Sequence, residues 1–242
     1  MEPEEYERTS LAEESHFWFD EMRSIWMGLL EWTGEAPRIR LALDAGCGTG
    51  GNLCRLGRDR AAVGIDLSPL ALAFARRKCA SPLARGTILS LPFRSGCFDL
   101  VLCSDVLYHR AVPDDTAALS EMRRVLRAGG LLIVNVPAFD RLRSAHDRAM
   151  HTVRRYSKDV LAERLLHAGL EPLRIVYWNG LLLPPVAVVR RLRRGAHGSE
   201  ISPLPPAVNR IFGAVAKLDR AAAMRGMLPA GLSLAAVARR VG

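Results

Sequence analysis

The sequence has no run of about 18 or more apolar residues, so no membrane-spanning helix is expected. It has no CxxC pair and no His/Cys cluster at metal-ligand spacing, so no metal site is expected. The five cysteines, Cys47, Cys54, Cys79, Cys97 and Cys103, then read as small buried hydrophobes in the reduced state. The opening Met1-Glu2-Pro3-Glu4-Glu5 lacks the basic and apolar regions of a secretory signal, which makes a cytoplasmic location the expectation. There is no internal repeat and no low-complexity tract.

What is present is 242 residues, 49% of them hydrophobic. That suffices for one α/β domain with a real core and is short for two. The net charge of +9 is unevenly spread. Residues 1–35 hold ten acidic and two basic side chains, whereas residues 180–242 hold ten basic and two acidic ones. The basic segment suits nucleic acid, an anionic membrane, an acidic substrate or simply a solvated face.

Residues 1–35 read as a helical cap, with Phe17, Trp18 and Phe19 on one helix. These aromatics either pack on the main domain, residues 36–242, or cover a ligand site, where Trp18 would meet substrate. From Leu41 short apolar runs alternate with amphipathic stretches: Leu41–Ala45, Ala61–Ile65, Phe98–Cys103 and Leu131–Val136. Such alternation implies parallel strands joined by right-handed helical crossovers. Arg127-Ala128-Gly129-Gly130 is expected to close a helix, Ser157 to cap the next one, and Gly169 to end it. Strands are expected over Pro172–Trp178 and Leu232–Arg239. Between them lies a basic, proline-rich insertion at about 180–230, too long for a hairpin. Val208, Ile211, Val215 and Leu218 mark a helix within it by their spacing.

The strongest local signal is Leu41-Ala-Leu-Asp44-Ala-Gly46-Cys-Gly48-Thr-Gly50-Gly51, a strand running into a glycine-rich turn. Gly46, Gly48 and Gly51 satisfy the dinucleotide pattern GxGxxG, so a nicotinamide or flavin enzyme has to be weighed. Asp44 counts against it. A carboxylate there suits the amino group of a bound amino acid and repels a pyrophosphate. Asp66, ending Val63-Gly64-Ile65-Asp66, can accept hydrogen bonds from ribose hydroxyls, which implies a nucleoside without saying which. Leu91-Pro92-Phe93 and Phe98–His109 have no role in the dinucleotide fingerprint.

In this order LDAGCGTG, VGIDLS, LPF, FDLVLCSDVLYH and RVLRAGGLLIVNVP resemble class I S-adenosylmethionine (SAM) dependent methyltransferases over roughly residues 40–170. More narrowly, they resemble the branch that includes the ubiquinone-biosynthesis O-methyltransferases. The resemblance implies a Rossmann-like, seven-stranded sheet with its last strand antiparallel, helices on both faces and a helical insertion before the last strand. It implies SAM as cofactor and S-adenosylhomocysteine as product. Asp44, Ala45, Gly46, Cys47, Gly48 and Asn52 would line the methionine end. Asp66 would hold the ribose, with Leu67 beside the adenine. Thr87, Ile88 and Leu89 would meet the adenine, and Ser104 and Asp105 would lie near the sulfonium. Two departures matter. Thr87 stands where many relatives have an acid that meets the adenine amino group, a weaker acceptor. Tyr108 stands where ubiquinone-type relatives carry a glutamate, removing a hard metal ligand, so again no metal is expected.

A second cluster, Ser144-Ala-His146-Asp147-Arg-Ala-Met-His151-Thr-Val-Arg154-Arg155-Tyr156, resembles an H-D…H-x-R-R-Y signature in a subset of bacterial methyltransferases. Tyr108, Arg154, Arg155 and Tyr156 are candidates for substrate contact. His109, His151 and His146 are candidates for a general base, a group worth ~10²–10⁴-fold in rate. A carboxylate acceptor would need no base and could be clamped by Arg154 and Arg155. The expected reaction is methyl transfer to a small-molecule acceptor, at a hydroxyl or carboxylate oxygen. The competing readings are a lipid or polyprenoid acceptor at a membrane face, an RNA acceptor, SAM binding without catalysis, and a dehydrogenase. Nucleic acid is not the expected partner, because the N/D-P-P-Y motif of base methylases is missing. Oligomeric state is not legible.

Overall fold

The computed structural model describes residues 3–143, 145–184, 186 and 204–242, and only the backbone of 145 and 146. His146, and residues 185 and 187–203 of the insertion expected at about 180–230, therefore lie outside the described side chains.

Seven strands form one sheet: β1 Leu41–Ala45, β2 Ala61–Asp66, β3 Leu83–Arg85, β4 Phe98–Ser104, β5 Leu126–Pro137, β6 Leu170–Trp178 and β7 Ser233–Arg240. Their order is β3-β2-β1-β4-β5-β7-β6. β7 runs antiparallel to both β5 and β6, while β1 through β5 pair in parallel. The order reverses beside β1, where open α/β sheets bind ligands at the carboxyl ends of their strands. The expected Rossmann-like architecture with an antiparallel last strand is thus observed.

β4 shows why the parallel centre forms. All seven of its residues are buried, as in a strand covered on both faces. Its one acid near the start, Asp99, accepts the backbone N–H groups of Arg40 and Leu41 and pairs with Arg127 at 2.9 Å. Alternation along the strands divides the core in two. Leu43, Ala45, Val101, Cys103, Leu132 and Val134 meet one layer, which includes α5 (Asp115–Val125) and α7 (Lys158–His167). Ala42, Leu100, Leu102, Leu131 and Ile133 meet the other. That second layer holds α2 (Phe17–Trp32), α3 (Gly51–Leu56), α4 (Pro69–Lys78) and the end of α8 (Pro206–Ala223). α1 spans Pro3–Ala12, and the short α6 spans Ala145–Ala149.

Helix starts follow local capping chemistry. Ser68, Asp114 and Ser157 each accept a hydrogen bond from a backbone N–H of the first turn. Phe19, Met22, Ile25, Trp26, Leu29 and Leu30 all face the core, so α2 is a layer of the fold as well as a neighbour of its ligand edge.

Two expectations are corrected. The glycines of Arg127–Gly130 do not close a helix. α5 ends at Val125, and Gly129, at φ 74°, belongs to an irregular start of β5, where pairing with β4 shifts register. Nor are all five cysteines reduced. Cys54 in α3 and Cys79 at the end of α4 form a disulfide across a Cα separation of 5.3 Å. The two helices lie side by side, a neighbourhood that a spacing of 25 residues does not announce.

Candidate active site

The glycine-rich turn leaves β1 and enters α3. Gly46, Gly48 and Gly50 have φ of 87°, 52° and 92°, the left-handed region that glycine enters without cost. Gly46 is doubly constrained, since a Cβ there would lie 2.3 Å from Val106 Cγ2. Gly46→Ala is expected to destabilise the fold by about 2–4 kcal/mol, adding backbone strain to overpacking. Val106→Ala in the same chain should recover the packing share alone, read by urea denaturation.

Asp44 is 1% exposed and faces the layer of α2 and α3. One carboxylate oxygen accepts the backbone N–H of Leu53, at the start of α3, while Oδ2 is buried without a partner. Burial, then the nearby Glu13 and Asp66, push its pKa up to about 8. An unpaired buried carboxyl is costly unless something compensates it. It also fills one of the helix N–H positions that a phosphate would need.

Asp66, at the tip of β2, accepts the backbone N–H groups of Gly48 (2.9 Å) and Ser68 (2.8 Å), so it stitches the turn to the next strand. Burial raises its pKa, against the lowering effect of those hydrogen bonds. Glu13, just after α1, closes the ring. Its Oε2 accepts from Thr49 Oγ1 and Lys78 Nζ, both at 2.7 Å, and a Cβ on Gly51 would strike its carboxylate. Tyr6 of α1 lies beside Ser68 and Asp66, and burial raises its pKa. Three carboxylates thus surround a turn of glycines, with one cation, Lys78, engaged by Glu13.

Leu67 is half-exposed beyond Asp66, Ile88 is buried and Leu89 half-buried. Thr87 Oγ1 accepts the Leu89 N–H, and Asn52 keeps its amide oxygen without a partner.

At the tip of β4, Asp105 has φ 62°, a strained value for a residue with a Cβ. Burial pushes its carboxyl to about 6. Asn135 of β5 donates to Asp105 Oδ2 at 2.9 Å and accepts from Trp178 Nε1 at 2.9 Å. Trp18 lies against Trp178 with ring centroids 5.0 Å apart, and Ser104 Oγ contacts Met22 Sδ. α2 therefore meets the end of β6 through Trp18 and the end of β4 through Met22.

The second cluster is largely internal. Arg155 donates through Nε and Nη2 to both oxygens of Asp147, at 2.8 and 3.0 Å, and through Nη1 to Ala138 O. Tyr156 OH donates to Asp115 Oδ2 at 2.9 Å. Tyr108 is buried in the core with Asp105, Asp147 and Arg155 near its hydroxyl. Arg154 donates to Leu107 O and Pro113 O, beside a cleft of about 450 Å³ that Val160 and Arg164 also line. Arg155 and Tyr156, both expected at the substrate, line that cleft as well, with all three guanidinium nitrogens and the phenol engaged within the fold.

His109 and His151 do come together, rings 5.6 Å apart. His109 Nδ1 accepts the Ala111 N–H, which puts the proton of the neutral ring on Nε2. Burial is the main cause of its fall to about 4. Among the described residues no group of three His, Cys, Asp or Glu side chains is placed to hold a metal.

Sequence reasoning missed Tyr6, Glu13, Asn135 and Trp178. An asparagine inside the apolar run Leu131–Val136 was the one visible signal.

Residues 43–134 match a family model described as a methyltransferase domain. A 37.1 kDa protein encoded in a Streptomyces fradiae transposon is 31% identical over 170 residues, 66% of this chain and 48% of that one. The demethylmenaquinone methyltransferase of Staphylococcus aureus is 39% identical over 100 residues, 38% of this chain and 41% of that one. The chain spans less than half the length of these curated relatives. A Thermotoga maritima SAM-dependent methyltransferase superimposes with TM-score 0.65 and 21% identity, covering 98% of this chain and 95% of that one. Residues 43–134 are thus a match to the methyltransferase-domain family, carried in a fold that this chain shares with SAM-dependent methyltransferases.

Proposed function

We propose that this protein transfers the methyl group of SAM to a small molecule, at a hydroxyl oxygen. The carrying observation is the ring of Asp44, Asp66 and Glu13 around the glycine turn, with Asp44 Oδ2 buried and unpaired. A ligand with a cationic amino group and a sulfonium satisfies that ring, whereas a pyrophosphate would face three carboxylates at close range. The residues present therefore fit SAM. Asp44 would take the amino group, and Asp66, already holding the turn, the ribose. Tyr6 would cover the nucleoside from α1, and Thr87, Ile88 and Leu89 would flank the adenine. Asp105, held by Asn135, would sit nearest the sulfur.

Bound SAM supplies a methyl group on a positively charged sulfur, already activated for in-line displacement. The protein has to align the acceptor and exclude water, and orientation alone supplies several orders of magnitude. Trp18, packed on the buried Trp178, would face the acceptor. Glu21 Oε1, Asp219 Oδ1 and both amide atoms of Asn179 are buried without partners where α2, α8 and the end of β6 meet. Burial is the first cause that pushes Glu21 up to about 7. These unpaired groups, donors and acceptors both, would receive the polar groups of the acceptor. Arg155 offers no counter-clamp, which favours a hydroxyl acceptor over the carboxylate alternative. Such an acceptor has a proton to lose. His109 and His151 are the candidates for the base, and His109 would have to give up the Ala111 contact to take one.

The test is label transfer from methyl-labelled SAM into three fractions of a cell extract: small molecules, lipids and RNA. Label in a small molecule, in a product stable to mild base as an ether is and a methyl ester is not, is the expected result. Label in RNA alone, or none in any fraction, overturns the reading.

A further inference from the structure

α8 turns polar as well as apolar side chains inward, Phe212 against Phe17 with Ala216 and Ala223 buried beside them. Asn209 accepts the Phe17 N–H at 2.9 Å and donates to Ser15 O at 2.7 Å. Asp219, 1% exposed, accepts the Leu181 N–H, and Arg220 pairs with Glu21 at 3.2 Å. The opposite face carries Val208 (36% exposed), Ile211 (62%) and Leu218 (68%), with Val215 in the same stripe. Spacings of three and four residues keep this stripe on one side of the helix, for about 15 Å of its length. An ordinary surface helix would not leave such a stripe exposed.

The charges beside the stripe are of one sign. Arg210 and Lys217, two turns apart along one flank, are exposed, and the only acid of α8 is the buried Asp219. We propose that this face of α8 docks on an anionic lipid surface, its apolar stripe among the acyl chains and its cations at the headgroups. A second copy is the poorer occupant. A two-fold pairing of the same helix face would bring Arg210 and Lys217 against their own equivalents, and no exposed acid on α8 would answer them. The surface stands apart from methyl transfer, and its test does not depend on it.

The full chain would be sedimented with vesicles of phosphatidylcholine alone and with about one third phosphatidylglycerol. Binding to the anionic vesicles is expected, at least about tenfold stronger than to the neutral ones and weakened by salt. Ile211→Asp with Leu218→Asp should reduce it at least about tenfold while the melting temperature holds, because both side chains are exposed. Arg210→Glu with Lys217→Glu should reduce only the salt-sensitive part. Absence of binding to anionic vesicles, equal binding by the Asp variant, or a wild-type dimer that the Asp variant dissolves would each overturn the proposal.

Discussion

A variant in which Asn replaces Asp44 is expected to lose about a hundredfold in affinity for SAM and yet to melt higher than the wild type. The loss follows from removing the one buried anion aimed at a cationic amino group, an interaction worth about 2–3 kcal/mol. The gain follows from linkage. An aspartate titrates near ~3.9 in an unfolded chain, and burial raises Asp44 to about 8 in the folded one. Between those values the folded state holds a proton that the unfolded state releases, so stability falls as pH rises through that window. Asparagine keeps the shape without the proton. The two proteins should therefore melt together near pH 4, and the variant should lead by roughly 5 °C at pH 7. A variant that binds SAM normally, or a gap that does not widen with pH, would show that Asp44 is a structural group only.

The second large effect is expected at Arg155. Its side chain is 4% exposed and that of Asp147 5%, and the two form a bidentate pair. Arg155→Ala would leave Asp147 buried without its guanidinium and free the Ala138 carbonyl. Removing one partner of a buried pair costs about 3–5 kcal/mol, a fall of about 10 °C in melting temperature for a chain of this size. SAM affinity should hold, since the pair lies outside the ring of carboxylates. Arg155→Met combined with Asp147→Leu should recover most of the loss, because a packed apolar pair avoids the desolvation of both ions. If the single variant is stable and fails only in turnover, Arg155 touches substrate after all.

Much of the sheet was legible because strand and helix periods differ and the apolar runs were well separated. Leu41–Ala45 and Ala61–Asp66 announced both their strands and the acids at their tips. β3, three residues long and only partly buried, carried almost no apolar signal of its own. The glycines at 129 and 130 looked like a helix stop because the same residue type serves a helix end and an irregular strand start. The Cys54–Cys79 bond depends on two helices meeting, which no local pattern encodes. Of the site, the turn and Asp66 were readable from sequence, whereas Glu13 was one of ten acids in residues 1–35 with nothing to set it apart. Its contacts with Thr49 and Lys78 exist only once α1 has crossed the ligand edge. The burial of Arg155 was not legible either, since a charged pair in a loop gives no sign of being buried.

The most direct measurement is a calorimetric titration of the purified protein at pH 6.5 with SAM, and separately with NAD⁺, in two buffers of different ionisation enthalpy. SAM should bind and NAD⁺ should not. Because the Asp44 carboxyl is mostly protonated at that pH and must ionise to meet the amino group, binding should release close to one proton. Heat from NAD⁺ with none from SAM, or SAM binding with no proton released, would contradict the account.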